Sequence, residues 1–205
     1  MYYYRIENNL GEIKMGITLD SIVIYILALI ILLIVEISRF IKAKRNKRKF
    51  FCLKEFFVVM FQVYLALLIS VTLFPLRISD IKVNLLVNFI PIVNSVKDLM
   101  MTINSMGFFM VKFWIINILG NIILLAPLAF IMPIISKKFR SLKSVVILCF
   151  CTSLFIEFLQ FLSLFIGNLR SVDIDDVLLN TLGAFIGFGA FKILSRFSFF
   201  KNNID

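Results

Sequence analysis

The chain has 205 residues, of which 61% are hydrophobic, and a formal net charge of +10. Soluble domains are roughly 45–50% apolar, and the excess here comes in long blocks, so the composition indicates a polytopic membrane protein. The sequence contains no histidine, which excludes a histidine general base, a histidine metal ligand and a Ser-His-Asp triad.

Five apolar blocks are each long enough to cross a hydrocarbon core about 30 Å thick, which takes about 20 residues of helix. They predict an all-α fold, a polytopic membrane helix bundle of about five transmembrane helices. The predicted spans are residues 18–40, 54–75, 113–135, 144–166 and 176–196. The predicted divisions are an N-terminal segment with the first helix and a basic loop (1–50), a membrane domain (51–198) and a tail (199–205).

Lys and Arg residues mark every second connection. Residues 42–49, KAKRNKRK, carry six positive charges, and further basic residues lie in SKKFRSLK (136–143) and at Arg196 and Lys201. The positive-inside rule makes these connections cytoplasmic, so we expect the N-terminus outside and the C-terminus in the cytoplasm. The same rule accounts for the basic charge without a nucleic-acid partner.

The connection over residues 76–112 is predicted to be external and is longer than a plain connector. Ser95 and Asp98 form a weak capping-box pattern, and apolar residues recur at helical spacing over residues 96–103. We expect a short interfacial helix on the outer face, as a lid over a site or as a surface connector.

Small residues, prolines and cysteines in the blocks have structural interpretations. Pro127 and Pro133 are expected to kink or end the third helix, and Gly183 and Gly187, with Ala190, form a packing face. The three cysteines, at positions 52, 149 and 151, lie within or beside apolar blocks. They predict neither a disulfide framework nor a metal pair.

Polar side chains recur in the last three blocks. Asn117 and Asn121 are four residues apart and share a helix face, as do Glu157 and Gln160, three apart. An ionised carboxylate near the bilayer centre costs at least about 2.5 kcal/mol, so Glu157 needs a cation, a proton or water. Arg170 is the nearest candidate partner in sequence.

The last block begins with a dense group of charges, RSVDIDDVLLNTLG (170–183). Asp173 and Asp176 fit a helix N-cap and its third residue, which leaves Arg170 and Asp175 unexplained. We therefore expect a polar funnel open to the outside and floored by Glu157, although the amides alone could serve interhelical hydrogen bonds. The predicted binding residues are Asn121, Glu157, Gln160, Arg170, Asp173, Asp175, Asp176 and Asn180.

Four ordered blocks resemble the VanZ-like family of membrane proteins, over roughly residues 55–195. They are VNFIPI (87–92), NILGNIILLAPLAFIMP (117–133), SLFIEFLQ (153–160) and RSVDIDDVLLNTLGAFIG (170–187). Ala129 departs from the family, which often has Gly there. The family's motif positions in this chain are Asn121, Pro127, Glu157, Gln160, Arg170, Asp173, Asp176, Asn180 and Gly183.

The resemblance implies a multi-pass protein of the bacterial cytoplasmic membrane. The founding member of the family is linked to resistance to teicoplanin, a glycopeptide antibiotic. A funnel of polar side chains at the outer leaflet is compatible with that association, because we expect such a surface to affect a lipid-tailed glycopeptide.

Three functions remain open. In the first, the funnel binds a lipid head group, a lipid-linked cell-wall precursor or a lipoglycopeptide, with Arg170 contacting an anionic group. In the second, an intramembrane enzyme acts on an outer-leaflet lipid, with Glu157 and Asp173 as an acid/base pair or with carboxylates holding Mg²⁺ or Ca²⁺. The third is a transport or proton path through Glu157. We favour binding without a cofactor, because neither a nucleophile motif nor a metal signature is recognisable.

Overall fold

The computed structural model describes residues 2–7, 13–45, 53–78, 87–88, 100, 111–166, 168, 172–198 and 200. The helices are α1 (Ser21–Arg45), α2 (Leu53–Leu73), α3 (Val111–Leu124), α4 (Ala126–Ile135), α5 (Leu142–Leu164) and α6 (Ile174–Leu194), with a 3₁₀ turn at Lys137–Phe139. The strands are β1 (Tyr2–Glu7), β2 (Ile13–Leu19), β3 (Leu76–Ile78), β4 (Val87–Asn88) and β5 (Val172–Asp173).

Within the residues that the structure describes, five helical spans are long and apolar enough to cross a membrane: α1, α2, α3 together with α4, α5, and α6. The predicted helical membrane bundle is therefore confirmed, and the chain is a multi-pass membrane protein. Each span begins and ends within a few residues of its predicted bounds, and α1 continues to Arg45, into the basic loop. The orientation of the two termini stays a prediction. The predicted interfacial helix lies outside the described residues, apart from Met100.

The third span is broken, as its prolines predict. A turn at Leu125 separates α3 from α4, and Pro127 lies in the first turn of α4. Proline has no backbone N–H, and the first turn is where a helix does not need one. Pro133 lies inside α4, which ends two residues later at Ile135.

The chain divides into two compact units. The first comprises Met1–Asn84, Leu159–Arg170 and Ser195–Asp205, and the second comprises Leu85–Phe158 and Ser171–Leu194. The boundaries predicted near residues 50 and 198 were drawn from the sequence pattern, whereas these units are groups of residues that are close in space. The predicted boundaries therefore stay a prediction.

In the first unit, α1 packs against α2. None of residues 21–45 is buried, which suits a helix that is apolar on all sides and faces lipid. The Arg39 guanidinium joins the two helices: it donates to Glu36 Oε1 at 2.7 Å and to Glu55 Oε2 at 2.5 Å. Charged groups in a membrane span are costly unless paired, so this network favours contact between α1 and α2.

The first unit also contains a three-stranded antiparallel sheet in the order β1-β2-β3. Tyr2 pairs with Thr18 at one end of the β1–β2 ladder, and Ile17 pairs with Ile78 in the β2–β3 ladder. Because β2 precedes α1 and β3 follows α2, the pairing brings the start of α1 beside the end of α2. These strands were not anticipated from sequence.

In the second unit, α6 packs against α3 and α4, and glycine makes the approach possible. A Cβ at Gly183 would fall on the carbonyl oxygen of Ile122. One at Gly187 would fall on the carbonyl oxygen of Ala126 and lie 2.8 Å from Ala129 Cβ. The predicted small-residue packing face is thus confirmed for Gly183 and Gly187.

Candidate functional site

Three acidic residues, Asp173, Asp175 and Asp176, form the acidic turn at the start of α6 and stabilise it. Asp173 ends β5 and immediately precedes the first residue of α6, Ile174. Its Oδ1 accepts a hydrogen bond from the backbone N–H of Asp175 at 3.0 Å. This is N-cap geometry, because it satisfies one of the N–H groups that the first turn of a helix leaves unpaired. The predicted capping role of Asp173 is confirmed.

Glu157 contacts that same junction from α5. Glu157 is only 7% exposed. Its Oε2 accepts a hydrogen bond from the backbone N–H of Asp173 at 3.2 Å. The carboxylate thus lies against the positive end of the α6 dipole, where negative charge is stabilised. Its predicted partner, Arg170, lies outside the described residues, so the ion pair stays a prediction.

Asn121 connects α3 to the first turn of α6. Its Nδ2 donates to Asp176 Oδ1, so an amide and a carboxylate that were predicted separately meet directly. Asp175 and Asp176 are both half-buried, whereas Asn117, one turn earlier on α3, is exposed. The acidic turn therefore contacts a polar side chain of α3 directly.

Asn180 makes a third polar contact, one turn further along α6. It is 1% exposed, and its Nδ2 donates to Ser153 Oγ on α5 at 2.8 Å. Asn180 Oδ1 has no hydrogen-bond partner among the described residues. A buried amide oxygen without a donor is unusual in folded proteins, which makes this position a candidate for contact with a further polar group.

Ser153 was not predicted as part of the site, although a signal existed. Cys149, Ser153 and Glu157 recur every four residues on α5 and so share a face, and all three are buried. The Cys149 Sγ donates to the carbonyl oxygen of Leu125 at 3.9 Å, at the break between α3 and α4. Small hydroxyl and thiol groups do not stand out in an apolar block, whereas a carboxylate does.

Gln160 makes its contact in the first unit. Its Nε2 donates to the carbonyl oxygen of Thr72 at 2.9 Å. Thr72 is the next-to-last residue of α2, and the last four carbonyls of a helix have no partner within it. Gln160 therefore satisfies one of the unpaired carbonyl groups at the end of α2. Among the predicted binding residues that the structure describes, no hydrogen bond joins the Gln160 side chain to another.

Val87 and Asn88, the first two residues of the VNFIPI block, pair with β5 through their backbone. Val87 pairs with Val172 and Asn88 with Asp173 in a short parallel ladder between β4 and β5. The residue that caps α6 is consequently positioned by a strand pair as well as by Glu157. Two of the sequence blocks that carry the family resemblance thus meet at Asp173.

The helix directions in the second unit follow from these contacts. Asn121 meets Asp176, and Ala126 lies against Gly187, so α3–α4 and α6 run in the same direction. Asp173 meets Glu157 and Asn180 meets Ser153, so α5 runs in the opposite direction. This is the alternation expected of consecutive membrane spans.

The chemistry of the junction is that of hydrogen-bond acceptors. Four carboxylates, those of Glu157, Asp173, Asp175 and Asp176, belong to α5 and the start of α6. No group of three or more His, Cys, Asp or Glu residues suited to hold a metal ion occurs in the part of the chain that the structure describes. The junction can accept hydrogen bonds or attract a positively charged group.

Two comparisons with known proteins returned nothing, and a third identified the family. No curated protein and no solved structure matches the chain. The sequence profile described as VanZ/LLP1 matches residues 61–195, well over half of the 205 residues. That range contains Asn121, Glu157 and the acidic turn of α6, and it confirms the resemblance drawn from the sequence blocks. The chain therefore belongs to the VanZ/LLP1 family.

Proposed function

We propose that this chain is a binding protein of the bacterial cytoplasmic membrane, which holds a polar or lipid-linked ligand at the outer leaflet and so lowers susceptibility to teicoplanin-type glycopeptides. The observation that carries the proposal is the meeting of three helices at the first turn of α6. There, Asn121 of α3 contacts Asp176, and Glu157 of α5 contacts Asp173. Polar groups in a membrane span are costly unless they serve a partner or a function.

The ligand chemistry follows from the charges. Asp173, Asp175 and Asp176 place three carboxylates within four residues, and the helix dipole alone favours negative charge there by only about 0.3–1 kcal/mol per group. We assign them to hydroxyl, amide or ammonium groups of the ligand, all of which donate hydrogen bonds. Arg170 is assigned to an anionic group such as phosphate or carboxylate.

The carboxylate geometry supports binding over catalysis. Glu157 Oε2 and Asp173 Oδ1 each accept a backbone N–H, of Asp173 and Asp175 respectively. These bonds engage both carboxylates in shaping the start of α6. An acid/base pair would instead exchange protons with a substrate in every cycle.

The proposal is tested by susceptibility and by retained ligand. Wild type, Glu157→Gln, Asp176→Asn and the control Asp20→Asn are expressed at equal membrane levels in a teicoplanin-susceptible Gram-positive host. We expect wild type and Asp20→Asn to raise the inhibitory teicoplanin concentration and the two site variants to lose that effect. Asp20 is a suitable control because it is an acid one residue before α1, outside the candidate site.

Lipid analysis separates binding from turnover. Mass spectrometry of the purified wild type should show a polar lipid or lipid-linked saccharide that is depleted from Glu157→Gln. Incubation of wild-type protein with membrane lipid extract should leave the lipid composition unchanged. Consumption of one lipid by wild type, abolished in Glu157→Gln, would establish an enzyme and overturn the proposal.

A further inference from the structure

A cavity of about 250 Å³ lies in the first unit, at the ends of two membrane spans. The end of α2 and the residues that follow it contribute Leu73, Phe74 and Leu76. The last turns of α5 and the residues just after it contribute Leu159, Leu162 and Ile166. All six side chains are apolar, so the walls favour an apolar occupant.

The polar groups at this cavity are engaged in the fold. Gln160 and Ser163 complete the lining, but Gln160 Nε2 donates to Thr72 and Ser163 Oγ donates to the carbonyl oxygen of Gln160 at 2.7 Å. Diverting either of these donor hydrogens to a ligand would break a buried hydrogen bond, which is unfavourable. A polar head group is therefore a poor match to these walls.

The surroundings identify the apolar occupant. Both α2 and α5 are membrane spans, so the medium beside their apolar side chains is the hydrocarbon of the bilayer. Leu162 lines the cavity and is also 44% exposed, which gives hydrocarbon chains a route in from that medium. We propose that this cavity binds one acyl chain of a membrane phospholipid.

The size of the cavity supports this choice. Pockets for drug-sized ligands enclose about 300–1,000 Å³, so 250 Å³ accepts part of a chain and not a whole lipid. A helix from a second protein is about 10–12 Å across with its side chains, which is too wide for this space. Apolar cavities in proteins do accept apolar guests from their surroundings.

This site does not depend on the proposed function. None of its lining residues is one of the acids at the start of α6, and its ligand is the bilayer lipid itself. Asp176→Asn should therefore abolish the teicoplanin effect while leaving acyl-chain binding unchanged, so the two proposals fail separately.

The test uses the full chain in nanodiscs of phosphatidylglycerol that contain a trace of the same lipid with a diazirine on one acyl chain. After irradiation, labelled residues are located by mass spectrometry. We expect labelling concentrated on Leu73, Leu159 and Leu162, and a several-fold reduction at Leu73 and Leu159 in Leu162→Trp. Leu154→Trp is the matched control, because Leu154 is on the same helix and 41% exposed but does not line the cavity.

Equal labelling of Leu159 and of exposed surface residues such as Phe155 and Phe158 would overturn the proposal, since it would indicate ordinary lipid contact. Unchanged labelling in Leu162→Trp would also overturn it. If Leu162→Trp does not fold, Ile166→Trp narrows the cavity from the turn after α5. The expected and contradicting results are then the same as for Leu162→Trp.

Discussion

Glu157 on α5 and Asp173 at the start of α6 are joined by a hydrogen bond from the Asp173 backbone N–H to the Glu157 carboxylate, 3.2 Å long. Asp173 uses its own side chain to cap the next turn through Asp175. Two carboxylates in series therefore satisfy backbone donors at one helix start. The acidic turn is part of the fold of the second unit as well as the candidate site.

Substitutions of Glu157 should separate its charge from its hydrogen bond. Glu157→Leu should lower the free energy of unfolding by about 1.5–3 kcal/mol, because the part-buried N–H of Asp173 loses its carboxylate acceptor. Glu157→Gln should lose less, since an amide oxygen can still accept the Asp173 N–H. The measurement is SDS-induced unfolding in mixed micelles. An equal or larger loss for Glu157→Gln would contradict this account of the junction.

The Asn121–Asp176 contact should be visible as a coupling energy. A double-mutant cycle with Asn121→Ala and Asp176→Ala should give a coupling of about 0.6 kcal/mol, and at most about 1.7 kcal/mol, as measured for interhelical hydrogen bonds in membranes. The same cycle between Asn121 and Ser153, which the structure does not join by a hydrogen bond, is the control. Equal coupling in both cycles would argue against a direct bond.

Glycine substitutions should show which face of α6 is packed. Gly183→Ala and Gly187→Ala should each destabilise the protein by about 1–3 kcal/mol, because an added Cβ overpacks a close helix contact. Gly189→Ala is the matched control: a Cβ there meets nothing within 4 Å, and alanine favours the helix. Loss of stability in Gly189→Ala, or none in Gly187→Ala, would place the packing face elsewhere.

Maleimide labelling should establish the orientation of the spans. In a variant with the three native cysteines replaced, Asp20→Cys should react with a membrane-impermeant maleimide in intact cells, because the positive-inside rule places the start of α1 outside. Lys138→Cys, in the basic connection between α4 and α5, should react only after lysis. The reverse pattern would invert the predicted topology.

The spans could be predicted from the sequence because the bilayer imposes their length and excludes charge from them. The break in the third span followed from Pro127, whose ring and missing N–H have local consequences. The cap at Asp173 was also local. Each of these features depends on a residue and its near neighbours in the chain.

The contacts between elements could not be predicted from a single sequence. That Asn121 meets Asp176, and Gln160 meets Thr72, depends on which helices are neighbours and on their rotation. The β1-β2-β3 sheet was missed for the same reason: β3 lies far along the chain from β2, and neither strand has the strong apolar pattern of a span. Ser153 was missed because a small hydroxyl group does not stand out in an apolar block of sequence.

The polar contacts of the second unit have a consequence for biogenesis. Asn121 and Ser153 lie on helices that are synthesised before α6, yet the side chains they contact, Asp176 and Asn180, both belong to α6. The Glu157 bond likewise requires Asp173, which immediately precedes α6. These contacts can form only after the ribosome has translated α6. The candidate site is thus assembled after α3 and α5 have been synthesised, and its assembly waits for α6 to reach the membrane.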